Sequence, residues 1–340
     1  MSRRGNTGSV YEDEQKGFDR PARHTRPRTK DRPDYSTLDV ARVVTIDRGR
    51  YRCVIDGRPV SATKGRSLGR TSVIVGDMVR LDGDTSGEPG TLARIVEALE
   101  RVTVLRRTAD DDDPYERPIV ANADQLVIVT ALADPPPRMG MIDRILIAAY
   151  DAGIAPLLCL TKSDLDDPTE IIAAYGPLGV PIVVTRIGQE LSELRSYLDG
   201  HVSVLVGHSG VGKSTLVNAL IPSARRATGV VNDVTGRGRH TSSAAIALEL
   251  PGGTGWVVDT PGVRSFGLSH VDPRNVLRSF SDLEELTEDC PRGCTHLATE
   301  PECALDAAVA QGTLQAERLA SFRRIQVLDR PSYGPEPSTR

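Results

Sequence analysis

The chain has 340 residues, of which 39% are hydrophobic and 26% charged, a composition typical of a globular protein with two or three domains. No segment approaches the roughly 20 consecutive apolar residues that a membrane span needs. The arginines at the N-terminus are not followed by the apolar region of a secretory signal. We therefore expect a cytoplasmic protein with no membrane partner.

The net charge of −4 conceals an uneven distribution. Residues 1–107 carry 22 Lys and Arg against 15 Asp and Glu, whereas residues 108–340 carry 20 against 31. A basic N-terminal segment followed by an acidic remainder is typical of a protein that binds a polyanion such as nucleic acid at one end. A solvated charged surface fits the charges alone equally well.

Residues 1–36 predict a disordered basic arm, because they are nearly free of apolar residues and rich in Arg, Asp, Pro, Gly and Thr. Lys16 to Arg32 contains seven basic and two acidic residues. An arm that settles on RNA phosphates and a plain unstructured tail both fit this composition.

Residues 37–107 predict an all-β domain, with short strands at 41–46, 51–55 and 73–81 separated by Asp-Gly and related turns. About five short strands suit a small barrel, and we favour an OB-fold that binds RNA over the SH3-like barrel that fits the same pattern. An acidic linker at 108–118 ends the domain. Several basic residues would make the turns and faces of this domain positive, as single-stranded nucleic-acid binders often are; they include Arg48, Arg50, Arg52, Arg58, Lys64, Arg66 and Arg70.

From residue 119 to 270 apolar strands alternate with helical patterns, which indicates a parallel sheet covered by helices on both faces. The strands are predicted at 125–131, 156–160, 181–184 and 202–206, with a further pair at 246–250 and 255–258.

The clearest motif, GHSGVGKST, follows the strand 202–206 and matches G-x-x-x-x-G-K-[ST], the phosphate-binding P-loop. Its glycines let consecutive N–H groups point at phosphates at the start of a helix. Lys213 would bridge the β- and γ-phosphates, and Ser214 would bind Mg²⁺. The motif consists of Gly207, His208, Ser209, Gly210, Val211, Gly212, Lys213, Ser214 and Thr215.

A second motif selects the base. Thr161, Lys162, Ser163 and Asp164 end the strand 156–160 and resemble the [NT]-K-x-D motif of GTPases. The carboxylate of Asp164 can accept hydrogen bonds from the N1–H and exocyclic amine of guanine, a pair of donors that adenine lacks on that edge, and we expect this acceptor to be buried. Thr185 follows the strand 181–184, where a backbone N–H would contact the guanine O6.

The remaining elements concern Mg²⁺ and water. Asp259 and Gly262 belong to a D-T-P-G segment that resembles switch II, in which Asp259 would hold Mg²⁺ through a water and the Gly262 N–H would sense the γ-phosphate. Thr241, at the end of a Gly/Arg-rich loop, is the candidate switch I ligand of Mg²⁺. An ordinary turn and an uninvolved loop are the alternatives. Val263 stands where many GTPases place a catalytic glutamine, so intrinsic hydrolysis should be slow; His240 is a candidate to position water.

The guanine motif precedes the P-loop, which is the order of a circularly permuted GTPase. Near the C-terminus Cys290, Cys294, His296 and Cys303 supply three thiolates and an imidazole, a closed tetrahedral set for one structural Zn²⁺. Reduced cysteines beside a surface histidine are the alternative. The sequence thus predicts an OB-like barrel, an α/β P-loop GTPase domain at 119–270 and a small, mainly helical zinc-binding domain at 271–340.

With these elements placed, residues 37–330 resemble the bacterial ribosome small-subunit-dependent GTPases (RsgA/YjeQ type). The resemblance implies a monomeric factor that binds GTP or GDP with Mg²⁺, contacts the 30S subunit and 16S rRNA in late maturation, and is stimulated by the subunit. The family usually spaces its zinc ligands C-x4-C-x-H-x5-C; here the first gap is one residue shorter and the last one longer.

Two other classes fit parts of the sequence. An ATP-using P-loop kinase or ATPase fits the P-loop, although the segment 161–164 argues against it. A zinc and OB-fold nucleic-acid-binding protein with a vestigial P-loop is disfavoured, because all the expected phosphate and Mg²⁺ ligands are present.

Overall fold

The computed structural model describes residues 34–69, 72–107, 117–223, 245–260, 271 and 273–328. Residues 1–36 form a unit of their own, of which only 34–36 are described, so the predicted basic arm falls almost wholly outside the described residues. The elements below all belong to the second unit, residues 37–340.

The N-terminal part is a closed five-stranded barrel with the strand order β1-β2-β3-β5-β4, which confirms the predicted OB-like barrel. Strands β3 and β5 pair in parallel and the other neighbours pair antiparallel. The strand predicted at 73–81 begins only at Met78, because the carboxylate of Asp77 accepts a hydrogen bond from the Ile74 N–H and holds a turn there. The strands are β1 (Val40–Asp47), β2 (Arg50–Ile55), β3 (Arg58–Lys64), β4 (Met78–Asp82) and β5 (Ala93–Ala98).

Strand β1 is shared between two hydrophobic cores. Ala41 and Val43 pack inside the barrel, whereas Val44 packs into the larger core of the α/β part. A shift of register between Val43 and Thr45 marks a β-bulge, which lets two successive residues be buried on opposite sides. On the outer face the guanidinium of Arg42 lies 5.8 Å from the centroid of the Trp256 ring.

A two-stranded ribbon, β6 (Val104–Arg107) with β7 (Arg117–Ala121), connects the barrel to the α/β part. Strand β7 begins at Arg117, so the last two residues of the linker predicted at 108–118 are strand instead. Gly76 (φ +89°) packs so closely on this ribbon that a Cβ would lie 2.0 Å from the Ala121 carbonyl oxygen. The close approach explains why a glycine stands at this junction.

The α/β part has a six-stranded sheet with the order β10-β9-β8-β11-β13-β12. The first five strands in this order are parallel, and β12 pairs antiparallel with β13 at the edge, because a short hairpin joins them. Every residue of β8 and β11 is buried, as expected of strands covered on both faces. The strands are β8 (Gln125–Ala131), β9 (Ala155–Thr161), β10 (Ile182–Val184), β11 (Val202–Val206), β12 (Ile246–Glu249) and β13 (Trp256–Asp259).

Helices flank the sheet and form the C-terminal part. The last helix contributes Phe322 and Ile325 to the same core as Tyr150 and Phe280, so the C-terminal part is packed onto the α/β part. Within the described ranges, no helix combines the length and apolar character required to cross a bilayer. The helices are α1 (Met139–Asp151), α2 (Thr169–Tyr175), α3 (Ser192–Leu198), α4 (Lys213–Leu220), α5 (Pro273–Arg278), α6 (Ser281–Leu286), α7 (Ala304–Ala310) and α8 (Ala316–Leu328).

Candidate functional site

The P-loop lies at the carboxyl end of the central strand β11 and leads into α4. Gly207 has a φ of +152°, and a Cβ there would lie 2.1 Å from the Val129 carbonyl oxygen, so no larger residue fits. Gly210 (φ +84°) and Gly212 (φ +97°) adopt the positive φ values that glycine tolerates best. Ser214 and Thr215 are exposed at the start of α4, where backbone N–H groups and the helix dipole can bind phosphates.

Lys213 and Asp259 are the charged residues beside the phosphate-binding loop. The ammonium of Lys213 donates to the carbonyls of Gly207 and His208, the latter over 2.9 Å. Burial lowers the pKa of Lys213, and the nearby carboxylate of Asp259 opposes that shift. Burial raises the pKa of Asp259, the last residue of β13, and Lys213 opposes that shift in turn. A half-buried lysine and a half-buried carboxylate at this point can bind phosphate and a cation.

The guanine motif is joined to the P-loop by hydrogen bonds. The hydroxyl of Thr161, the last residue of β9, donates to the Val211 carbonyl over 2.6 Å. Lys162, at φ +59°, donates its ammonium to the Asp134 carbonyl. The Ser163 N–H donates to the carbonyl of buried Thr185 over 3.2 Å. The two motifs and the segment after β10 therefore form one rim.

A cavity of about 270 Å³ opens between this rim and α4. Its lining includes Asp164, which is exposed at the edge and not buried as the sequence led us to expect. Leu165 and Ile187 also line it, and both are exposed apolar residues, at 56% and 78%. The predicted motifs do not include these two residues, although Leu165 directly follows the guanine motif and Ile187 lies two residues after Thr185. The described lining is Thr161, Lys162, Asp164, Leu165, Thr185, Arg186, Ile187, Gly188, Gln189, Leu191, Gly212, Thr215, Leu216 and Ala219.

Part of the predicted site lies outside the described residues. The candidate water-positioning residue His240, the candidate Mg²⁺ ligand Thr241 and the switch II residue Gly262 all fall in the segments 224–244 and 261–270. Of the predicted Mg²⁺ ligands, Ser214 and Asp259 are described. The roles assigned to His240, Thr241 and Gly262, and the Mg²⁺ roles of Ser214 and Asp259, all stay predictions.

The four predicted zinc ligands come together at the start of the C-terminal part. One ligand atom from each of Cys290, Cys294, His296 and Cys303 lies within 4.8 Å of the other three. The Nδ1 atom of His296 is 3.5 Å from the Cys290 Sγ and 3.9 Å from the Cys303 Sγ. Main-chain N–H groups of His296 and Ala304 point at the sulfurs of Cys294 and Cys290, over 3.4 and 3.3 Å. Three sulfurs and one imidazole at these distances suit a tetrahedral metal such as zinc.

These features define a class. A central parallel strand that leads through a glycine-rich loop into a helix, beside a guanine-type rim, is the nucleotide site of a P-loop GTPase. The guanine-recognition part of this rim follows β9 and β10, which precede the P-loop strand β11 in the chain, so the GTPase is circularly permuted.

Comparison with known proteins identifies the family. Residues 98–269 match the RsgA GTPase family. The chain is 44% identical over 263 residues to the small ribosomal subunit biogenesis GTPase RsgA of Pseudomonas aeruginosa, which covers 75% of each chain. Its similarity to the RsgA of Ectopseudomonas mendocina, also 44% identical, spans 62% of this chain and 63% of that protein. The crystal structure of YjeQ from Thermotoga maritima superimposes with a TM-score of 0.64 at 26% identity, over 86% of this chain and 98% of that one. The chain belongs to the RsgA GTPase family.

Proposed function

We propose that this GTPase binds the 30S ribosomal subunit through 16S rRNA, acts in the cytoplasm in late maturation of that subunit, and hydrolyses GTP to GDP and phosphate faster when bound to it. The observation that carries the proposal is the cavity that joins Asp164 of the guanine motif to Gly212 and Thr215 of the P-loop. The relatives named above carry the small ribosomal subunit in their names, which supports the choice of partner.

At the nucleotide, Asp164 would accept the guanine N1–H and amine, and the N–H of Thr185 or its neighbour would contact O6. The backbone of the P-loop and the N-terminus of α4 would bind the phosphates. Lys213 would release the Gly207 and His208 carbonyls and donate to the β- and γ-phosphates instead. This exchange is favourable because an ionised phosphate oxygen is a stronger acceptor than a peptide carbonyl.

For hydrolysis, Ser214, Thr241 and Asp259 would hold Mg²⁺, which supplies neutralisation of charge on the phosphates when it is bound. The Gly262 N–H would sense the γ-phosphate, and His240 is the candidate that orients the attacking water. Because Val263 has no side chain that can orient water, we expect slow turnover without the subunit.

At the partner, the exposed arginines of the barrel would contact RNA phosphates. Arg50 and Arg52 alternate with buried Tyr51 and Cys53 on β2, so both arginines project outward on the same face. Arg48, in the turn before this strand, and Arg58, the first residue of β3, are also exposed. An exposed basic strand face suits the phosphate backbone of single-stranded or looped RNA. We further propose that one structural Zn²⁺ is bound by the Cys3His cluster and that the protein is a monomer away from the ribosome.

The test is GTP hydrolysis by the full chain with and without 30S subunits, with ATP as the control nucleotide. We expect GTP-only turnover that the subunit strongly stimulates. Hydrolysis of GTP that does not respond to 30S subunits would support the nucleotide site but contradict the proposed ribosomal partner. Equal hydrolysis of ATP and GTP would contradict the guanine site.

A double substitution separates the barrel from the nucleotide site. We expect Arg50→Glu with Arg52→Glu to weaken stimulation by 30S in a salt-dependent manner and to leave the intrinsic rate unchanged. Each of Arg50→Glu and Arg52→Glu is also made alone, and Arg278→Glu, which reverses one exposed charge on α5, is the control for these single variants. An effect of Arg278→Glu as large as that of either single β2 variant would contradict a specific role for the β2 face.

A further inference from the structure

Arg323 on α8 faces the Cys3His cluster. Its Nε donates to the His296 carbonyl over 2.8 Å, and its two terminal nitrogens donate to the two carboxylate oxygens of Asp306, each over 2.7 Å. The guanidinium also faces the Cys303 thiol, and the Arg323 side chain is only 15% exposed. Three sides of the guanidinium are therefore engaged at once.

The residue that Arg323 holds is the strained one of the cluster. His296 has a φ of +58°, the left-handed region that a residue with a Cβ disfavours. Its N–H points at the Cys294 sulfur and its carbonyl accepts from Arg323, so both sides of the residue are fixed. In this conformation its ring nitrogen faces the sulfurs of Cys290 and Cys303.

Charge gives the same arginine a second role. Three thiolates and a neutral imidazole around a divalent ion leave one net negative charge. A guanidinium beside Cys303 can balance that charge, and Asp306 fixes its orientation through a bidentate pair. Outer contacts of this kind commonly set how tightly a metal is held.

Arg324, the next residue of α8, contacts the GTPase helices and not the metal-binding loop. Arg324 donates to the Asp143 carboxylate on α1 and to the Ala174 carbonyl on α2, each over 3.3 Å. Its guanidinium also lies 4.8 Å from the centre of the Tyr175 ring. Adjacent arginines of α8 therefore contact the metal-binding loop on one side and the GTPase helices on the other.

We propose that Arg323 is a positioning residue of the zinc site, which holds His296 in its ligating conformation and fastens the metal-binding loop to α8. The inference rests on the proposed zinc site. It makes retention of the metal depend on a side chain that is not a ligand, and it connects the loop to the helix that Arg324 anchors on the GTPase domain.

The experiment uses the full chain, purified with zinc, and measures the rate at which zinc passes to a coloured chelator. Arg323→Ala should release zinc roughly tenfold faster or more. Arg323→Lys should be intermediate, because an ammonium keeps the charge but cannot make the three contacts of a guanidinium. Arg324→Ala, the matched control one residue away, should release zinc at the unaltered rate.

Equal release by Arg323→Ala and Arg324→Ala would overturn the proposal. Should Arg323→Ala fail to fold, Asp306→Asn serves instead, because it keeps the arginine and weakens the bidentate pair that orients it; we expect several-fold faster release, and an unaltered rate would overturn the role. The zinc content of the unaltered chain is measured first. If the unaltered chain does not contain one zinc, the metal site itself is contradicted. If it contains zinc but the rate of zinc release is the same in the Arg323 variants, only this inference is contradicted.

Discussion

The hydroxyl of Thr161 donates to the main-chain carbonyl of Val211 over 2.6 Å, so a single side chain joins the guanine motif to the phosphate-binding loop. Thr161 is only 5% exposed, and a second, longer contact of 3.3 Å reaches the Thr130 carbonyl. A Cβ on Gly212 would lie 3.7 Å from the same hydroxyl, so the two segments touch here. The distance between the base end and the phosphate end of the cavity is therefore set partly by Thr161.

Thr161→Val should weaken GDP and GTP binding about tenfold. Valine keeps the shape but leaves the Val211 carbonyl without its donor in a buried place, a loss of about 1 to 2 kcal/mol. The dissociation constant of a fluorescent GDP reports it. Thr161→Ser, which keeps the hydroxyl, is the control, and a loss of the same size in that variant would show that the hydrogen bond is not the cause.

Asp164→Asn should change the base that the cavity accepts. The amide still accepts one hydrogen bond but presents a donor to the exocyclic amine of guanine, so we expect GTP binding to fall roughly 100-fold. Xanthosine triphosphate carries a carbonyl in place of that amine and should bind the variant better than GTP does. Competition between the two nucleotides measures the preference. An unchanged preference for GTP would place the base elsewhere.

Asp77→Asn should destabilise the barrel. The carboxylate is fully buried, and it accepts from the Arg101 guanidinium over 2.6 and 2.8 Å and from the Ile74 N–H over 2.7 Å. Breaking a buried ion pair by removing one charge lowers the free energy of unfolding by about 3 to 5 kcal/mol. We expect a loss near the lower end of that range, because the Arg101 side chain is 24% exposed. Urea unfolding measures the loss. Asp84→Asn, an exposed acidic residue of the same domain, should leave the midpoint unchanged, and equal midpoints in both variants would be evidence against the pair.

The five cysteines should react in two groups. Burial raises the pKa of Cys53 and of Cys159 to about 12. A raised pKa keeps the thiol protonated, so at pH 8 the reactive thiolate is scarce in the folded state and rises only as the chain unfolds or as the pH approaches 12. A thiol reagent followed by mass spectrometry should therefore leave Cys53 and Cys159 unlabelled in the folded protein, label the half-buried Cys290 and Cys294 there only after chelation of zinc, and label all five cysteines in denaturant.

Labelling of Cys53 or Cys159 in the folded, chelated chain would contradict their burial. Rapid labelling of Cys290 before chelation would contradict the metal site. The chelator-free and denatured samples are the two controls.

The sequence predicted the elements whose signals are local. The strand predicted at 202–206 agrees residue for residue with β11. The order of the guanine motif and the P-loop likewise needs no tertiary information, and it predicted the permuted sheet. The OB-like barrel followed from strand lengths and turns, although β3 and β5 were not located individually.

Other features depend on contacts between distant segments. Alternation along β1 shows two faces but not that Val44 enters a different core from Val43. Asp164 is exposed because it lies at the open edge of the cavity, and the sequence motif alone does not indicate this position. The sequence contains no sign of the role of Arg323. Its side chain binds a main-chain carbonyl, which every residue type has, so the contact leaves no recognisable sequence motif.

The position of β11 has a consequence for synthesis of the chain. This strand lies between β8 and β13 in the sheet but is made after β8, β9 and β10. Until it emerges, the nascent chain carries the guanine-binding strands with one edge of β8 unpaired, and an unpaired strand edge can associate with other chains. The growing polypeptide thus acquires its base-recognition segment before it has any loop with which to hold a phosphate.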